Sequence, residues 1–154
     1  MRIPCVEFLQ GSLVVLAMAT LPAVAEAECK PVDGHSQTRI VPCSAPQCTE
    51  GRVIGGLQGR LNFTATGLIP SGATGLPTVS FLTGRSVIEA KDGSTLTGID
   101  TGVIDFATGK VATLITWTDG TGRFAGASGR IRVLADVQTD GAVVGDYSGE
   151  LCVP

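Results

Sequence analysis

The chain reads as all-β: a single antiparallel barrel of about eight strands behind an irregular, disulfide-tethered N-terminal arm. Apolar and polar residues alternate with period two over long stretches, which is the signature of half-buried strands. Turn dipeptides recur roughly every 10 to 16 residues, and no stretch shows the spacing of an amphipathic helix.

The first segment is a candidate secretory signal peptide, residues 1–27. Met1-Arg2 opens a weakly basic start, Gly11 to Ala25 is apolar apart from Ser12, Thr20 and Pro22, and Ala25-Glu26-Ala27 fits a small-x-small cleavage site. A membrane anchor would need roughly 18 or more apolar residues, and Pro22 argues against a core helix. Removing residues 1–27 from 154 leaves 127, enough for one core. Taking Arg2, Glu7 and Glu26 away from 11 basic and 14 acidic side chains leaves 10 and 12. That balance, with no cationic cluster, gives no footprint for nucleic acid or for a membrane once the signal is cleaved. Secretion or a periplasmic location is the resulting expectation.

Cysteine usage agrees with export. With Cys5 gone, Cys29, Cys43, Cys48 and Cys152 form an even set suited to an oxidising compartment. In a closed barrel the first strand starts beside the end of the last, which puts Cys48 near Cys152 and leaves Cys29 for Cys43. A small Cys43–Cys48 loop is the alternative. A metal site is poorly supported, because His35 is the single histidine and no second cysteine pair has matching spacing.

Residues 28–50 carry three prolines, Asp33-Gly34 and no sustained periodicity, and are assigned to the arm. The barrel domain takes 51–154. In its first strand Val53, Gly55, Leu57, Gly59, Leu61, Phe63 and Ala65 are apolar or small while Gln58, Arg60, Asn62, Thr64 and Thr66 are polar, so odd positions face the core. After a loop at 70–77 come strands near 78–90 and 94–106, joined at Lys91-Asp92-Gly93; Gly98 and Gly102 are candidate bulge or break points in the second. A turn at Ala107-Thr108-Gly109 leads into 110–118. Asp119-Gly120 is the strongest hairpin signal, since a two-residue type I′ turn needs positive φ twice. Strands at 130–138 and 142–152 complete the chain, with Thr139-Asp140-Gly141 between them. Ile115, Trp117, Ile131, Val133, Val143 and Tyr147 again place odd positions inside.

Four motifs now stand together: the glycine-interrupted first strand, G-S-T-L-T-G-I-D-T-G-V-I-D at 93–105, G-T-G-R-F-A-G-A-S-G at 120–129 and D-Y-S-G-E-L-C at 146–152. In that order they resemble the allene oxide cyclase-like and dirigent-like barrel superfamily over about two-thirds of the chain, as a secreted, bacterial-type member. The resemblance implies an eight-stranded antiparallel barrel with an apolar interior, in a family often trimeric in plants. Its members include a cyclase acting on an unstable fatty-acid epoxide and proteins that steer phenoxy-radical coupling. It implies a scaffold and assigns no catalytic residue here. A homo-oligomer is compatible with it.

Site candidates come from the residues themselves. With odd positions inside, Arg85 and Glu89 share a face with Val87, and Asp105 shares one with Val103 and Ile99. A carboxylate in an apolar barrel would have a perturbed pKa and could orient a polar head group or move a proton. The simpler reading is a solvated rim with an Arg85–Glu89 pair. Trp117 and Tyr147, the sole Trp and Tyr, fall on the inward parity and either wall a small-molecule cavity or pack as core with their polar atoms satisfied. No cofactor is implied. Gly120-x-Gly122 lacks dinucleotide spacing, Gly109-Lys110 lacks the rest of a phosphate loop, and no serine sits in a nucleophile elbow. Asn62-Phe63-Thr64 matches the glycosylation pattern in mid-strand. Three functions remain open: a non-catalytic binder of a small apolar ligand or extracytoplasmic module, an isomerase or cyclase acting inside the barrel, and a surface interaction module on the outer face of Arg60, Asn62, Thr64, Arg130 and Arg132.

Overall fold

The computed structural model describes residues 27–72 and 78–154. The expected signal peptide therefore lies outside the described residues except for Ala27, as do residues 73–77 of the expected loop. Eight antiparallel strands run β1 Glu28–Val41, β2 Cys48–Gly55, β3 Gly59–Pro70, β4 Val79–Glu89, β5 Thr95–Asp105, β6 Lys110–Gly120, β7 Ser128–Val137 and β8 Ala142–Val153. Each pairs with its neighbours in sequence and β1 pairs with β8, so the barrel is closed and no edge is left open. No helix among the described residues is long and apolar enough to cross a membrane.

Several expectations change. Residues 28–50 are not an irregular arm: β1 is a full barrel strand, hydrogen-bonded to β2 on one side and β8 on the other. Pairing on both sides holds it in place of an alternating apolar pattern, and Val32, Ser36 and Thr38 are its buried positions. The single strand expected from Val53 onward is two strands, broken at Gly56-Leu57-Gln58, where Leu57 turns inward and is buried.

Asp119-Gly120 is likewise not a type I′ turn. Neither residue has positive φ; both end β6, and the reversal runs through 121–127, around a 3-10 turn at Gly122–Phe124. Gly122 (φ 58°) and Gly126 (φ 72°) supply the left-handed conformations there. Phe124 is buried at the barrel end, and the Arg123 guanidinium lies 4.8 Å from its ring centroid while reaching Asp92 at 3.7 Å.

The disulfides also differ from the preferred pairing. Cys29 bonds Cys152 and Cys43 bonds Cys48. Barrel closure does bring the start of the first strand beside the end of the last, but that start is at Cys29, which lies opposite Cys152 in the β1–β8 register. Cys43–Cys48 then closes the short connection between β1 and β2. Two bonds of this kind fit an oxidising compartment.

The antiparallel order sends the β2–β3, β4–β5 and β6–β7 connections, the start of β1 and the end of β8 to one end of the barrel. That end is plugged: Val32, Leu57, Ala90, Leu96, Phe124 and Ala127 pack there with Ile88, Trp117, Ile131 and Tyr147. The other four connections surround the opposite end.

Inward parity is odd in β6 and β7, as expected, with Thr113, Ile115, Trp117, Ile131 and Ala135 buried. In β4 and β5 it is even: Ser80, Leu82, Ser86 and Ile88 are buried in one, and Leu96, Asp100 and Ile104 in the other. The outward positions there include Phe81 and Ile99, each 53% exposed. Large side chains of flanking strands explain the inversion, because they lie over glycines on these two. A Cβ on Gly98 would stand 2.8 Å from Trp117 Cε3 and 2.5 Å from Ile115 Cγ2, and one on Gly84 would collide with the Phe63 ring. The interior of an eight-stranded barrel holds only so many large residues, so small inward positions on β4 and β5 accommodate the bulk from β3 and β6.

Candidate functional site

Above the plug the barrel encloses a cavity of about 100 Å³. Its wall is apolar over most of its area, from Val53, Leu61, Phe63, Leu82, Ile104 and Ile131 among others. A surface depression at the end opposite the plug shares Gln47, Ile104 and Val137 with this wall, so the cavity abuts that end. Hydroxyls interrupt the apolar surface: Ser36, Thr38, Thr49, Ser86 and Thr113 all line it and are buried.

Asp100 sits among them at the centre of β5, opposite Gly84 of β4 and Ile115 of β6. It is 2% exposed. Ser86 Oγ donates to its Oδ1 at 3.0 Å, while Oδ2 is buried without a hydrogen-bond partner. Burial disfavours the charged carboxylate and pushes the pKa from 3.8 up to about 7, with the Ser86 bond opposing part of that rise. Burial thus brings the Asp100 carboxyl into the range near neutral pH where a carboxyl can serve as a hydrogen-bond anchor or exchange a proton.

The one other buried side-chain N or O atom without a partner among the described residues is Trp117 Nε1, and Trp117 lines the same cavity. It is on the strand beside Asp100, opposite Gly98, two positions along β5 on the same face. Orphaned buried polar atoms are rare and costly. Here both belong to residues that line one cavity.

The remaining sequence candidates are placed differently. Tyr147 is buried and borders the cavity, but its hydroxyl is engaged: it accepts from Leu57 N at 2.8 Å and lies 3.2 Å from both Ile54 O and Leu57 O. Burial raises its pKa, so it stays a neutral phenol that ties the β2–β3 turn to β8. Arg85 and Glu89 project outward from β4 and are exposed, and they form no ion pair with each other. Asp105 closes the β5–β6 turn: Thr78 Oγ1 donates to it at 2.6 Å, Ala107 N at 3.0 Å and Thr108 Oγ1 at 2.9 Å. Those bonds, Thr78's first, lower its pKa. The structure therefore brings Trp117 and Tyr147 to the cavity and leaves Arg85, Glu89 and Asp105 off it, because the parity of β4 and β5 is even. No group of three or more metal-ligating side chains occurs among the described residues.

No protein-family model matches this chain, and no curated protein matches it. A solved structure similar to it is that of a pterocarpan synthase dirigent protein, at 13% identity and a TM-score of 0.41, covering 91% of this chain and 99% of that one. The likeness is distant. The closed eight-stranded topology rests on this chain's own strand pairing.

Asp100 is within reach of sequence reasoning, since G-I-D-T-G places it between two glycines at a parity opposite to Ile99 and Val103. The larger apolar residues on the odd positions point the wrong way. The usable signal is the glycines at 98 and 102, which mark where a neighbouring side chain crosses the strand.

Proposed function

We propose that this chain is a secreted barrel of the allene oxide cyclase-like and dirigent-like kind that binds a small, largely apolar molecule in its interior. The observation that carries the reading is Asp100, a residue of this largely apolar cavity wall whose Oδ2 is buried with no protein partner. A mainly apolar pocket with a few convergent polar groups is the usual build of a small-molecule site. Apolar cavities of roughly 150 Å³ accept a benzene, so this one suits a body of about four to six non-hydrogen atoms. The two disulfides and the leader-like residues 1–27 support an extracytoplasmic setting.

Ligand that binds only the folded state raises its melting temperature. Screening four- to six-atom alcohols, amines and hydrocarbons by thermal shift should therefore find stabilising compounds for the wild type. Their effect should vanish in Ala135→Phe, which fills the cavity from its wall. No shift with any compound would refute the reading.

A second reading, an isomerase acting on a reactive apolar substrate, is supported by the near-neutral poise of the Asp100 carboxyl. It requires that Asp100→Asn abolish turnover while retaining ligand-induced stabilisation.

A further inference from the structure

The chemistry of the cavity wall narrows what can enter it, taking as given that the interior is a ligand site. Of the side chains that line it, Asp100 alone can carry a negative charge near neutral pH, and none is Lys, Arg or His. The groups facing Asp100 from the flanking strands are Ser86 and Gly84 on β4 and Thr113 and Ile115 on β6, all uncharged. Tyr147, the other titratable lining residue, is neutral and hydrogen-bonded to the β2–β3 turn. The barrel thus holds a carboxyl whose charge no cation among the described lining residues compensates.

We propose that the ligand is a small organic cation, an alkylammonium whose charged head sits against Asp100 Oδ2 among the inward hydroxyls while its short apolar body fills the rest of the cavity. An ammonium offers three donors and no acceptor. Asp100 Oδ2 is an orphaned acceptor, and Thr113, which lines the cavity from the adjacent strand opposite Gly102, two positions along β5 from Asp100, has hydroxyl lone pairs for a further N–H group. Trp117 also lines the cavity, and an indole is the best aromatic partner for a cation. The Trp117 N–H favours an acceptor instead, but a neutral indole N–H left unmade costs less than an uncompensated buried charge. Asp100 therefore decides the class.

The test uses three probes of nearly equal shape: isobutylamine, isobutanol and 2-methylbutane. Binding to the full mature chain is followed by NMR titration at pH 6, 7 and 8, in wild type and in Asp100→Asn. Isobutylamine is expected to bind at least tenfold tighter than isobutanol at pH 8. Its affinity should fall about tenfold from pH 8 to pH 6, because the carboxyl that must be ionised to receive it titrates at about 7. Isobutanol binding should lack that dependence. Asp100→Asn should lose the amine preference and keep isobutanol binding, which also shows that the variant is folded. If isobutanol or 2-methylbutane binds as tightly as the amine at pH 8, or if Asp100→Asn retains the preference, the ammonium assignment is overturned and the apolar-ligand reading stands. If none of the three binds, both fall.

Discussion

Replacing Asp100 by Asn keeps the size and the Ser86 hydrogen bond but removes the charge, and the structure fixes the sign and scale of the effect. In the unfolded chain the carboxyl titrates near 3.8; in the folded protein burial raises it to about 7. Below pH ~4 both states are protonated and Asp100 costs nothing. Between ~4 and ~7 the folded protein holds a proton that the unfolded chain has released, so stability falls as pH rises through this window and levels off above it. At about 1.4 kcal/mol per pKa unit, the charged form costs on the order of 4 kcal/mol at pH 8. Asp100→Asn should therefore melt about 10 °C or more above wild type at pH 8, with the two converging near pH 4. Comparing the two proteins at each pH cancels the titration of every other group. Thermal unfolding followed by circular dichroism from pH 4 to 8 measures the difference. An offset that does not change with pH, or a variant less stable than wild type at pH 8, would refute the reasoning.

The same geometry sets other expectations. Tyr147→Phe leaves Leu57 N–H buried without its acceptor and should cost about 1–3 kcal/mol in urea unfolding, with little change in ligand affinity. Gly98→Ala forces a methyl against Trp117 and Ile115 and should cost about 1–3 kcal/mol, whereas Gly93→Ala, with nothing nearby, suffers only its positive φ. Non-reducing peptide mapping should find Cys29 with Cys152 and Cys43 with Cys48; Cys29 with Cys43 would contradict the strand order. Because its loop is far longer, losing Cys29–Cys152 (separation 123) should cost about 5 kcal/mol on the chain-entropy scale, against about 2 kcal/mol for Cys43–Cys48 (separation 5).

The strands from Lys110 onward are legible in the sequence because Ile115, Trp117, Ile131 and Tyr147 are large, apolar and at regular parity. Those properties are local, and local pattern is what a sequence displays. β1 is hidden for the opposite reason: Pro31 and Asp33-Gly34 look like loop residues, and pairing with β8, 100 residues and more away, and from Gly34 onward also with β2, makes them a strand. Gly34 sits where the Tyr147 hydroxyl comes within van der Waals range, which no reading of residues 28–41 alone could show. The parity of β4 and β5 is misread on volume. Alternation says which face is apolar, but in a narrow barrel the inner face must also be small where Phe63 and Trp117 cross it. Asp100 is missed through the same error, while the turn role of Asp105 depends on a hydrogen-bond set that includes Thr78, distant in sequence. Trp117 and Tyr147 both line the cavity, yet their polar atoms go different ways: the phenol is satisfied and the indole N–H is not.

Asp100 can anchor a ligand inside the barrel only if its carboxyl is buried and unpaired with any cation. Tracking the Asp100 side-chain carbon by ¹³C NMR across pH 3 to 9, with Asp100→Asn to assign the resonance, tests that directly. A midpoint near 7 is the predicted result; a midpoint near 4 would mean that Asp100 is solvated or charge-paired, and would contradict its role as the interior anchor.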